Sequence, residues 1–248
     1  MDPIDQFHIA NYFVFARFGN IELAFTESAL FMLLAVALIS LLMIGATNGR
    51  TLIPGRLQAI AEMSYEFVAS MLQTAAGPDA MEFFPLVFSL FMFVLFTNMV
   101  ALIPYTFAVT AQIIITVSLA LTVFLTVIIY GVWKNGLHFF KLFVPSGAPV
   151  LVLPLLVPIE VLSFFTRPIS HSLRLFANIL AGHIALKVFA GFVTMLSAFG
   201  FLGWLGAVLP FGMTVALFAL EFLVAFLQAY VFAILTCIYL KDAIHPGH

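Results

Sequence analysis

Between Ser170 and Lys187 the chain reads SHSLRLFANILAGHIALK, a short run holding two histidines, an arginine, an asparagine and a lysine. Its surroundings are nearly free of charge, and no Asp, Glu, Lys or Arg lies between Lys187 and Glu221. With the neighbouring segments, the polar set is Glu160, Arg167, His171, Arg174, Asn178, His183, Lys187, Glu221 and Gln228. Inside an apolar span an ionisable side chain costs about 2.5–3.5 kcal/mol on insertion scales, so it marks a functional site by default. Helical phase sorts the set. His171, Arg174 and Asn178 are three and four residues apart and share a face. His183 is nine residues past Arg174, half a turn out of phase. Glu221 and Gln228 are seven apart and share a face of a second helix.

Antiparallel helices bring level those residues whose numbers share a constant sum. Arg174 and Gln228 sum to 402, and His183 and Glu221 to 404, so one register serves both pairs. The same register sets Glu160 level with Asp242. Each residue also has a structural reading. Lys187 can snorkel to one interface and Arg167 to the other. His171 can be a packing histidine, and His183 with Glu221 a buried structural pair. Arg174 has no acid near it on its own helix and lies too deep to snorkel. The other spans offer it no carboxylate, so its partner is expected on another subunit. No histidine pair has metal-ligand spacing, and no phosphate-binding loop or dinucleotide fingerprint occurs. No metal and no cofactor is expected.

The elements that position these groups follow from composition. The 248 residues are 64% hydrophobic and 8% charged, with a mean hydropathy of +1.20. Soluble domains carry about 25% charged residues, so this is an integral membrane protein. The net charge of −2 gives no sign of a nucleic-acid partner. The single cysteine, Cys237, cannot form an internal disulfide. The acidic start MDPIDQFHIANYF has no basic n-region, so no removable signal peptide is expected.

A spanning helix needs about 20 apolar residues. Ala29–Ala46, Phe83–Pro104 and Ile113–Trp133 qualify as three spans. Residues 56–76 have apolar positions at near-helical spacing mixed with Glu62, Glu66 and Gln73, which predicts a helix lying at the interface. From Pro158 to about Ser197, and from Gly203 to about Asp242, two helices of about 40 residues and about 60 Å are predicted. The hydrocarbon core is about 30 Å thick, so these two are expected to form a steeply tilted antiparallel hairpin. With five crossings and the N-terminus outside, Arg50, Arg56, Lys134, Lys141 and Lys241 fall on the inner side and only Arg17 outside. The C-terminus is therefore expected on the cytoplasmic side, or its organelle equivalent. The expected organisation is an outer-side segment at 1–27, three spans with the interfacial helix at 28–140, and the hairpin at 141–248. The fold class is an all-α integral membrane protein.

RPISHSLRLFANILAGH, followed by FLQAYVFAILTCIYL, resembles subunit a of the F-type ATP synthase, as do TNMVALIPY and IPGRLQ. The resemblance covers the chain from about residue 28 onward, and LRLFANILAGH is its most specific part. It implies a stator subunit with two offset proton half-channels feeding a rotating ring of c subunits, in a bacterial or equivalent organelle inner membrane. Such a subunit is no enzyme on its own. Its implied partners are the c-ring, peripheral-stalk b-type subunits, other ATP synthase subunits and membrane lipid. The implied roles are the essential charge for Arg174, polar neighbours for Asn178 and Gln228, and an inner-side channel acid for Glu160. His183 and Glu221 match the outer-side pair, and His171 is grouped with the pathway. In the best-known bacterial pattern that pair runs Glu first and His second, and here the two are exchanged. The facing register makes the exchange tolerable. The alternative is a secondary ion transporter or a channel with an intramembrane arginine. A transporter would show inverted repeats and broken helices at matching positions, and the sequence shows neither.

Overall fold

The computed structural model describes residues 11–18, 21–47, 54–103, 106–144 and 152–244. An antiparallel hairpin comes first, β1 (Asn11–Phe18) and β2 (Ile21–Thr26). Six α-helices follow: α1 (Glu27–Thr47), α2 (Arg56–Ala76), α3 (Phe84–Ala101), α4 (Ile113–Asn135), α5 (Leu153–Ser197) and α6 (Gly200–Ile244). Five of them, all but α2, are long and apolar enough to cross a membrane. The protein is thus an all-α membrane protein with a small strand pair at its start.

The sequence anticipates these helices closely and errs at a few ends. α5 starts at Leu153, ahead of Pro158, so Pro158 and Pro168 both lie inside it. Each proline removes one backbone hydrogen bond, and a 45-residue helix tolerates that because the other bonds and its packing remain. α6 starts at Gly200 rather than Gly203. The strand pair was not anticipated. Arg50, Pro104, His8, His245 and His248 lie outside the described residues, as do the side chains of Arg17 and Lys141.

The chain divides into two compact units, and both long helices contribute to each. One unit takes in Phe93–Gln112 and Leu175–Gln228. Here α5 and α6 turn back on one another. The Phe199 amide donates to the Leu196 carbonyl at 3.0 Å, and Gly200 adopts φ 75°, which only glycine takes without strain. Gly203 then lies directly on the Leu196 carbonyl, where no side chain fits. Asn98 near the end of α3 is buried and anchors this unit. Its amide donates to the Ala225 carbonyl at 3.3 Å, and its oxygen accepts from the Thr110 hydroxyl at 2.7 Å. In hydrocarbon, buried polar groups must find partners within the protein, and this trio supplies them.

The other unit takes in Ser40–Met92, Ile113–Arg174 and Ala229–His248. α2 turns Ala61, Val68, Met71, Leu72 and Ala76 inward, one stripe of an amphipathic helix. Tyr65 meets Phe84 at 4.5 Å between ring centroids, and Phe67 meets both Phe91 and Tyr230. Gly77 at φ 86° donates to Gln73 and ends α2, and Pro78 prevents its continuation. Gly131 of α4 sits under the Phe139 ring, and Asn135 donates to the Ala243 carbonyl at 2.6 Å. On α6 the fully buried residues Ala229, Ala233 and Cys237 recur every fourth position, a small-residue seam that lets helices approach closely. Large apolar side chains such as Ile129, Leu155 and Leu162 face outward, as hydrocarbon solvent permits.

Candidate functional site

In the first unit the polar groups gather around Glu221. Gly182 has no side chain, and the Glu221 carboxyl fills the space it leaves. A Cβ at 182 would come within 2.8 Å of Glu221 Oε1. This close pass lets Glu221 reach across from α6 to α5. His183 Nε2 lies 3.6 Å from the same oxygen, beyond a direct hydrogen bond but within reach of one bridging water. The histidine side chain is 14% exposed and the glutamate 4%. Neither carboxyl oxygen of Glu221 has a hydrogen-bond donor among the described residues.

A cavity of about 290 Å³ opens beside them, with Asn178, Gly182, Glu221 and Gln228 in its wall. Leu217, Val224 and other apolar residues complete it. A pocket of that size has room for several waters, and Asn178, Glu221 and Gln228 offer polar groups to bind them within a mostly apolar wall. A carboxyl with no fixed donor, set in such a wall, is suited to accept a proton from water and release it again. His183 and Glu221 are thus brought together as their register suggests, and Asn178 and Gln228 share one cavity with Glu221.

In the second unit the predicted set divides. Arg174 is exposed and makes no ion pair among the described residues. His171, assigned above to the same face, is instead buried at 3% exposure. Its ring stands 3.8 Å from that of Phe232 and 5.9 Å from that of Tyr239, and neither ring nitrogen has a hydrogen-bond partner among the described residues. The two keep their helical phase on α5, but α6 packs against His171 and leaves Arg174 open. Glu160 is half-buried, and Lys187, which belongs to the first unit, is exposed. Asp242 binds Arg167 at 2.6 Å instead of facing Glu160. The longer arginine side chain reaches further along the pair than the level register allows.

Sequence reasoning passed over Gly182 and Asn98, and it set Asp242 level with Glu160 without its partner Arg167. Gly182 lies beside His183 in the AGH run, and its spacing to Glu221 in the register was the available signal. Among the described residues, no three His, Cys, Asp or Glu side chains converge in a way that could hold a metal ion.

The family model described as ATP synthase A chain matches residues 29–241. ATP synthase subunit a of Rhodopseudomonas palustris (strain BisB18) is 64% identical over 248 residues, covering all of both chains. The proteins of the same name from Nitrobacter winogradskyi and Bradyrhizobium diazoefficiens are 64% and 63% identical. The match covers all of this chain in both cases, with 100% and 99% of those proteins covered.

Proposed function

Since the chain belongs to the ATP synthase A chain family, we propose that it is the stator of the membrane sector and carries protons to and from a rotating ring of acidic subunits. Subunit a is a multi-pass membrane component of the proton-driven ATP synthase, and other subunits of that complex are its partners. Beyond this, the reading assigns two offset half-channels. The outer one runs through His183, Glu221, Asn178 and Gln228, and the inner one passes Glu160, with His171 near it. The c-ring faces Arg174, and b-type peripheral-stalk subunits hold the chain still. The N-terminus lies outside and the C-terminus on the cytoplasmic side. The three-part organisation at 1–27, 28–140 and 141–248 belongs to the same proposal, as does the steep tilt of α5 and α6.

Electrostatics gives the mechanism. A ring carboxylic acid arriving from lipid meets the Arg174 guanidinium, whose fixed positive charge favours the ionised form, so the proton departs. A bare carboxylate is too costly to enter lipid, so it must be reprotonated from the other half-channel before the ring turns on. Proton flow and rotation are thereby coupled. Arg174 also repels protons and blocks a direct leak between the two channels. His183 and Glu221, one water apart, relay the proton from the outer side to the cavity wall.

The observation that carries this reading is Arg174, exposed on an apolar helix with no ion pair among the described residues. The test pairs passive proton uptake by liposomes carrying the membrane sector with ATP synthesis by the whole complex. Arg174→Ala should abolish synthesis and admit a leak. Arg174→Lys keeps charge but loses the planar fork, so it should restrict the leak while still impairing synthesis. Near-normal synthesis in the alanine variant removes Arg174 from the centre of the mechanism. Lost synthesis with no added leak retains the first role and discards the second.

A further inference from the structure

Two arginines stand seven residues apart on α5, and among the described residues only one has an acidic partner. Arg167 Nη1 donates to Asp242 Oδ2 at 2.6 Å, with side chains 20% and 27% exposed. The Arg167 guanidinium also lies 5.4 Å from the centre of the Phe164 ring and 5.3 Å from that of Tyr239. Tyr239 in turn packs against His171. Arg174 has no such company. Seven residues of helix is about 10 Å along the axis and returns to within about 20° of the same face. Both cations therefore start from nearly one strip of α5, two turns apart.

We propose that Asp242 silences Arg167, leaving Arg174 as the single net positive charge that this strip of α5 presents to a passing carboxylate. The proposal rests on the reading of Arg174 given above. A second free guanidinium would offer that carboxylate another resting place nearer the inner end of the helix. It would detain the ionised group near the inner end and away from the outer half-channel, where reprotonation is due. At an effective dielectric of about 20, a unit charge about 10 Å away biases an ionisation by about tenfold, enough to disturb the sequence of proton transfers. Glu160, seven residues before Arg167, makes no ion pair among the described residues, so the neutralising work falls to Asp242. The two aromatic rings favour the arrangement by holding the guanidinium against α6 through cation–π contact.

A simple clasp between α5 and α6 would use the same pair, and a rescue experiment separates the two roles. ATP synthesis under an imposed proton gradient is measured on the reconstituted whole complex, per amount of assembled complex. Asp242→Asn keeps the shape and frees Arg167, and synthesis should fall by about tenfold. Adding Arg167→Gln removes the freed cation along with the last of the ion pair. Under the silencing proposal the double variant returns near to the wild-type rate, although the clasp is gone. Normal synthesis in Asp242→Asn overturns the proposal, and so does a double variant no better than the single. Should Asp242→Asn fail to assemble, the double variant decides alone, with near-normal synthesis in support and a clear loss against. Arg174→Ala is run alongside. If it retains synthesis, the underlying reading falls. If it loses synthesis while the double variant stays unrescued, only the silencing falls.

Discussion

Replacing Gly182 by alanine tests how the site around Glu221 is built. A Cβ there would stand 2.8 Å from Glu221 Oε1 and 3.1 Å from its carboxyl carbon, where ordinary contact begins at 3.4 Å. The overlap with the oxygen is 0.6 Å (3.4 minus 2.8). The backbone of two packed helices is harder to move than a carboxyl at the end of a side chain, so Glu221 gives way. Its carboxyl is displaced by about that amount from its present 3.6 Å relation to His183. A misplacement of about 1 Å in a reacting group can cost about a hundredfold, so a shift of just over half that predicts about a tenfold loss of turnover. Folding should survive. Overpacking costs about 1–3 kcal/mol, and exchanging glycine for alanine inside a helix returns about 1 kcal/mol. The assay is ATP synthesis per assembled complex, with the assembled fraction followed separately. Glu221→Asp, one methylene shorter, relieves the overlap, so the combined variant should lose less than the product of the two single losses. Wild-type turnover in Gly182→Ala, or losses that simply multiply, would refute the claim that this glycine positions the carboxyl.

Three further expectations address other parts of the molecule. Exchanging the outer-side pair, His183→Glu with Glu221→His, should retain more ATP synthesis than either single change. A double variant no better than the worse single would argue against pairing. Asn98→Leu leaves the buried Thr110 hydroxyl without its acceptor and should destabilise by about 1–3 kcal/mol, read as a lower denaturation temperature of the purified complex. Adding Thr110→Val should recover part of that loss, and an unchanged denaturation temperature in Asn98→Leu would dismiss Asn98 as an anchor. In a membrane-embedded structure α5 and α6 should both lean well beyond the ordinary tilt of about 20°, and a pair lying within about 25° of the normal would contradict the hairpin expectation.

The helices were legible because twenty or more apolar residues in a row admit few alternatives, and α2 and α4 start at their expected residues. The register was legible too. His183 and Glu221, with numbers summing to 404, come within 3.6 Å, and the rings of His171 and Phe232, summing to 403, meet at a tilt with centres 3.8 Å apart. Side-chain reach was less accessible. A constant sum fixes the level of backbones, yet Arg167 and Asp242, summing to 409, meet because a long guanidinium spans the difference. Helical phase alone also placed His171 with Arg174, since phase says which residues share a strip but not which part of it a neighbour covers. The strand pair had a signal that went unread. An aromatic-rich run, NYFVFARF, and the alternating run IELAFT flank Gly19–Asn20, a hairpin-forming pair. At Gly182 a residue defined by lacking a side chain gave no chemical hint, and its importance became visible only with Glu221 in the space above it.

The bare guanidinium of Arg174 also bears on the life of the subunit before the complex exists. Arg174 is exposed on an apolar helix, and in the proposed arrangement a solitary copy would hold that cation in the bilayer unpaired, at a cost of about 2.5–3.5 kcal/mol. Every 1.4 kcal/mol is a factor of ten, so meeting an acidic partner is favoured by about two powers of ten from this one residue. Until then the lone copy drags water and lipid headgroups toward the charge, an awkward lodger in its own membrane. On the role proposed for Arg174, the same cation would also act as an address, favouring the assembly in which an acidic partner shelters it. Swapping it for an apolar residue would ease the insertion of a single chain while disabling the finished machine, so selection for comfort in lipid and selection for work oppose each other at this position.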